Sequence, residues 1–409
     1  LKDQGKFEKA IKAYKKALSL NPNHVNAYFN IGVAFQDQDL LEEAIVSYEK
    51  AISLKPDYVN AYNNIGLAFK KLDKLDKSVE AYNKVLSLDP NYAEAYINLG
   101  NAFRDQGKLK EAIEAHEKSL ALKPNNPEAY SNMGIVLKDQ GRVVEAVEAY
   151  NKAILLKPDY ADAYYNLAVV LQDEGQLVKA VEVYNKVISL NPDNGKAYNN
   201  LGNAFKDQDK LDDAIKSFNK AISIRPDHAE AYSNLGNALQ DQGKLEEAIE
   251  AHEKSILFKP NNAIAYNNMG IALKDQGNIN KALEAYKKAL SLIPDYAEAY
   301  SNMGNALKDQ GNIEDAIEAY KQAIKKERAE LNNWEAAVLM WTTRDNEAAQ
   351  NNKRRRNAIN KLRREKLILD KAFNEARVKL EEIDDSTKKL MKIADGVNKE
   401  RIRAKNRLE

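Results

Sequence analysis

The chain has no cysteine, so disulfides, thiolate nucleophiles and cysteine metal sites are all excluded. Histidine is almost as scarce, with four in 409 residues, and no two are spaced as metal ligands. His116 and His252 take the place that tyrosine fills at Tyr48, Tyr82 and Tyr150; His24 and His228 fall between helical segments. No apolar run approaches the ~20 residues that a membrane helix needs. A phosphate loop and a glycine-rich nucleotide fingerprint are both missing. Catalysis, cofactor binding, metal binding and membrane insertion therefore have no candidate residues here, and the expected class is non-enzymatic. An intracellular, cytoplasmic setting fits the missing cysteine.

Net charge is also nearly absent, with 62 Lys+Arg against 61 Asp+Glu. The balance hides an asymmetry. Residues 325–409 carry a net +8, which leaves −7 for residues 1–324.

What the chain has in abundance is repetition. Asn30, Asn64, Asn98, Asn132, Asn166, Asn200, Asn234, Asn268 and Asn302 fall 34 residues apart without a slip. A fixed period of this length marks a tandem array of one supersecondary unit. In the copy from Val25 to Asp57, apolar or small residues recur at Tyr28, Ile31, Gly32 and Phe35, then at Ala44, Ile45, Tyr48, Ala51 and Ile52. Steps of three and four predict two amphipathic helices, A and B, joined by the polar turn 36–39. Pro56 closes helix B.

The other marked places repeat as faithfully. Helix A carries tyrosine from Tyr28 to Tyr300, and glycine at Gly32, Gly66, Gly100, Gly134, Gly202, Gly236, Gly270 and Gly304, with Ala168 once. Mid-helix glycine costs roughly 1 kcal/mol against alanine, so close approach of helix B is the expected return. Ala44, Ala112 and Ala146, with Ser78 as a substitute, are expected at that contact.

Aromatic, leucine-type residue and glycine in helix A, alanine and aromatic in helix B, then proline: this pattern resembles the tetratricopeptide repeat, over residues 1 to about 341. The superhelical arm of the O-linked N-acetylglucosamine transferases is similar in that it too repeats an asparagine in helix A. The resemblance implies an all-α, right-handed superhelical solenoid with helices A lining its concave side.

Leu1 falls eleven places into a repeat and is not methionine, so a missing N-terminal portion is expected. Residues 1–24 are then a partial repeat and 25–328 nine full ones. Trp334 and Trp341 keep the register, but Val338 replaces the glycine and Ala336 the asparagine. Residues 329–341 are therefore expected to form a capping helix. A polar, basic linker follows at 342–358, with Lys353, Arg354, Arg355 and Arg356. From Ile359 to Leu408 apolar residues recur at heptad spacing, predicting a coiled coil over 359–409 for self-association or a second partner.

The nine asparagines are the candidate peptide-binding residues, because each amide can donate to a carbonyl and accept from an N–H. Asp105, Asp139, Asp173, Asp207, Asp241, Asp275 and Asp309 form an acidic row on the same helices. That favours an extended neutral or basic protein segment as partner. Chaperone-binding relatives place basic clamps at positions matching Phe29, Asn63, Ile97, Ser131, Tyr165, Asn199, Ser233, Asn267 and Ser301, none of which is basic. Nucleic acid is not expected, since no stacking aromatics flank the basic run. The reading is a non-catalytic interaction scaffold. Its rivals are a structural part of a cytoskeletal or ciliary assembly and the recruiting arm of a larger glycosyltransferase.

Overall fold

The computed structural model describes residues 7–326 and a few isolated positions beyond. The expected capping helix at 329–341, linker at 342–358 and coiled coil at 359–409 lie outside the described residues. Within them the chain forms nineteen α-helices and no strand. Helix α1 spans Phe7–Leu20, α2 Val25–Gln36 and α3 Leu41–Leu54, and the alternation continues to α18 at Ala297–Gln310 and α19 at 313–326. Even-numbered helices are helices A of the repeat and odd-numbered ones helices B. Two compact units divide at Val170 and Leu171.

Within each unit a helix B packs on its own helix A and on the next one, as α3 does on α2 and α4 (Val59–Lys71), and α13 (Leu211–Ile224) on α12 (Gly195–Lys206) and α14 (Ala229–Asp241). Within each unit, successive helices A also touch one another, as in α4 (Val59–Lys71) with α6 (Ala93–Asp105) and α14 with α16 (Ala263–Asp275). Successive helices B make no comparable contact. Inside each unit, helices A therefore form the crowded inner side.

The glycine of helix A has a physical reason. A Cβ built on Gly32 would lie 2.5 Å from Tyr48 Cε1, and one on Gly270 would lie 2.5 Å from Tyr286 Cε1. The helix-B aromatic lies flat against bare helix-A backbone. That ring is fully buried at Tyr48, Tyr82, Tyr150, Tyr184, Phe218, Tyr286 and Tyr320, and His116 and His252 fill the same slot. The helix-A tyrosines, by contrast, are only half-buried. Ala44, Ala112 and Ala146 have no exposed surface. Ser78 fits among them because its hydroxyl donates to the Gly66 carbonyl at 2.8 Å.

Turns follow from local chemistry. Lys55 precedes Pro56 and is pushed out of the helical region, with φ −137° and ψ 89°, so α3 ends there. The A–B turn needs a left-handed residue, which is Gly277 (φ +87°) in one copy and Asp39 (φ 59°) in another. Asn126, Asn194 and Asn262 cap their helices by accepting backbone N–H bonds.

Candidate functional site

Every asparagine of the ladder sits at the sixth position of its helix A. Asn30, Asn64, Asn98, Asn132 and Asn166 belong to the first unit; Asn200, Asn234, Asn268 and Asn302 belong to the second. All nine are half-buried, neither sealed between helices nor standing free in solvent.

Several rungs are held by neighbours. Asn64 Nδ2 donates to the Tyr48 hydroxyl at 3.3 Å. Asn98 Nδ2 donates to Asn63 Oδ1, Asn234 Nδ2 to Asn199 Oδ1 and Asn302 Nδ2 to Asn267 Oδ1, each at 3.1 Å. Asn268 Nδ2 donates to Asn237 Oδ1 at 2.9 Å. These bonds cross from one repeat to the next, so each fixed rung has its orientation set by the preceding copy.

The residue just before the rung is buried in six of the nine copies, while Phe29, Tyr165 and Ser301 are half-buried. Ile97, Ser131, Asn199 and Asn267 are buried, with Asn267 at 0% exposure. A position matched to the clamps of chaperone-binding relatives is here an inter-repeat packing site. One step along a helix turns a side chain by about 100°, enough to carry it from the cleft to the neighbouring helix.

Asp105, Asp139, Asp173, Asp207, Asp241, Asp275 and Asp309 are exposed, as a solvent-facing row should be. They do not form a free negative stripe. Lys70 pairs with Asp105 at 3.1 Å, Lys206 with Asp241 at 3.4 Å and Lys274 with Asp309 at 3.6 Å. Gln172 and Gln240 donate to Asp207 and Asp275 at 3.4 and 2.9 Å. Burial alone would raise the Asp105 carboxyl, but hydrogen bonds and charge from Arg104 and Lys70 outweigh it and hold the group below the usual carboxylate range. The matching cations stand 35 residues upstream, a spacing that joins adjacent repeats.

A separate cleft of about 640 Å³ lies over α16, between α15 (Leu245–Phe258) and α17 (Ile279–Leu292). Ile249, Met269 and Leu273 line it with Glu250, Glu253 and Lys288; Asn268 does not. Among the described residues no cluster of three or more acidic or histidine side chains is placed to hold a metal ion. No helix among them is long and apolar enough to cross a membrane.

Models of the TPR repeat match residues 1–39, 40–73, 100–141 and onward in overlapping copies to 311. Tetratricopeptide repeat models also match 59–92, 81–114 and 297–328. The chain belongs to the tetratricopeptide repeat family. No curated protein matches it. Among solved structures, MamA protein is 34% identical, with a TM-score of 0.37 over 42% of this chain and 94% of that one. YrrB, described as a TPR protein with an unusual peptide-binding site, is 27% identical, with a TM-score of 0.37 over 45% of this chain and 95% of its own. Yeast Tom70 is 17% identical, with a TM-score of 0.45 over 83% of this chain and 94% of its own.

In this tetratricopeptide array the residues missed by pattern reading are Asn63, Asn199 and Asn267 in their structural role. A signal was present. Asparagine pairs at 63–64, 199–200 and 267–268 are each followed, in the next repeat, by Ala-Glu-Ala-Tyr at 93–96, 229–232 and 297–300.

Proposed function

We propose that this chain is a non-catalytic scaffold that holds an extended polypeptide along helices A, with the asparagine ladder gripping main-chain groups. The observation that carries this reading is the ladder's state: nine amides at one repeat position, all half-exposed, several fixed by bonds to neighbouring side chains. Fixed amides lose little freedom when they bind, which favours recognition of a backbone over any one side chain. Because the acidic row is matched by Lys70, Lys206 and Lys274, the partner need not be basic; a largely uncharged extended segment suits the paired surface. The heptad segment 359–409 would add assembly, joining two arrays or a second protein.

Replacing Asn132, Asn166, Asn200 and Asn234 together by alanine should weaken partner capture by the full chain at least tenfold. Each lost hydrogen bond is worth about 1 kcal/mol. Helical circular dichroism should be retained. Quantitative capture by wild type and variant, followed by mass spectrometry, checks this; equal capture by the two proteins sinks the reading.

A further inference from the structure

Asn199 and Asn267 are buried amides, each with a carboxylate on one side and a ladder rung on the other. Asn199 Nδ2 donates to Glu230 Oε1 at 3.3 Å, and its Oδ1 accepts from Asn234 Nδ2 at 3.1 Å. In the next-but-one copy Asn267 Nδ2 donates to Glu298 Oε1 at 3.2 Å, and its Oδ1 accepts from Asn302 Nδ2 at 3.1 Å. The direction of this relay is dictated by chemistry. An ionised carboxylate can only accept, so the buried amide must turn its NH2 toward the glutamate. Its oxygen then faces the rung, and the rung must answer with its own NH2. What remains unengaged on the rung is its whole oxygen, together with one N–H; turned the other way, the oxygen would be the bonded atom and both N–H donors would face out. A second acceptor, Asn200 Oδ1, meets the same Asn199 Nδ2 at 3.4 Å, which agrees with that orientation.

We propose that Glu230–Asn199 and Glu298–Asn267 are positioning relays that set the polarity of the ladder, so that Asn234 and Asn302 present an acceptor and select an N–H of the partner. Asn98, held by Asn63 Oδ1 in the same way, repeats the second half of the device. The ligand named here rests on the cleft reading above; the orientation of the rungs does not. A segment with proline opposite Asn234 or Asn302 has no N–H to offer and would be disfavoured there.

The test inverts one relay. Glu298 is exposed, and Lys196 occupies the equivalent place in another repeat, so Glu298→Lys should fold. A lysine ammonium only donates, so Asn267 must turn its oxygen toward it and its NH2 toward Asn302. Asn302 would then present NH2 outward. Side-chain amide NMR of the full chain reads this directly. In wild type, exchange at the Asn302 Nδ2 proton bonded to Asn267 should be slowed roughly fivefold by its hydrogen bond. N-methylacetamide, which has an N–H, should shift the Asn234 and Asn302 side-chain resonances more than N,N-dimethylacetamide, which has none. In Glu298→Lys, Asn302 should lose its slow exchange and its preference for N-methylacetamide, since both cosolutes offer a carbonyl to an outward NH2, while Asn234 stays unchanged as an internal control. Equal response of both rungs to both amides, or an unaltered Asn302 in the variant, overturns the proposal. Failure of the cleft reading looks different: the ladder alanines would leave capture intact while the Asn302 inversion still appears.

Discussion

Gly270→Val should destabilise the α16–α17 repeat by about 3 kcal/mol, the upper range for forcing bulk into a packed core. A Cβ at this position already overlaps the Tyr286 ring, with Cε1 at 2.5 Å and Cδ1 at 2.8 Å, and the ring itself has no exposed surface into which to retreat. Valine adds two methyls on the same carbon and gains little helix propensity in return. Alanine should cost less than valine, since Ala168 occupies the equivalent place in another copy. The loss should be local, because each repeat of a solenoid is coupled mainly to its neighbours. Hydrogen exchange should therefore quicken across α16 and α17 and leave α2 to α5 (Leu75–Leu88) as they were. Urea unfolding supplies the magnitude. In a Tyr286→Ala background the same valine should cost under about 1 kcal/mol, because the ring it collides with is gone. An equal cost in both backgrounds would show that ring overlap is not the cause. Gly277→Asp is the contrasting case: the left-handed place there (φ +87°) is filled in other copies by Asp39, Asp73 and Asp209 at φ 59°, 56° and 62°, and nothing lies within 4 Å.

That contrast shows what the sequence carries and what it leaves out. The two-helix unit, its starts and its turns were legible because propensity, proline and glycine act within a few residues of themselves. So was the closeness of helix B to the helix-A glycine, since the cost of glycine demanded a compensating contact. The identity of the contact was less legible. The fully sealed aromatics are those of helix B, Tyr48 and its equivalents, while the helix-A tyrosines stay half-buried. Helical periodicity gives a face but not the depth at which the next helix lies. The candidate site divides the same way. Asparagine at a fixed place is visible as a row in any tandem array. The bonds that orient Asn98, Asn234 and Asn302 run to residues 35 positions away, and those that neutralise the acidic row span the same distance. Such pairs depend on how one copy seats on the next. Asn199 and Asn267 differ from the rungs by a single residue, yet that step moves them from a half-exposed surface to a buried one.

Acidification from pH 7 to pH 5 should lower stability by about 2 kcal/mol for each of His116 and His252. Both imidazoles have no exposed surface, and neither ring nitrogen finds a protein partner. Burial pushes His252 down to about 4, and burial together with the charge of Arg104 does the same for His116. In the unfolded chain each titrates near 6.5. Above that value both states are neutral and the histidines cause no pH dependence. As pH falls from 6.5 toward 4 the unfolded chain binds protons that the folded one does not, so stability rises with pH across this window and is lost as pH falls through it. Below about 4 the loss levels off. The two sites lie in different units. Phe218 fills the same slot over Gly202 with no polar atom, which makes phenylalanine the informative replacement. His116→Phe and His252→Phe should each raise stability at neutral pH, by removing unpaired buried nitrogens, and should flatten the dependence between pH 6.5 and 5 in their own unit. Urea midpoints at pH 7 and pH 5 for the wild type and both variants check this. If the variants keep the wild-type acid sensitivity, the titrating groups lie elsewhere and the imidazoles are already protonated or solvated in the folded chain.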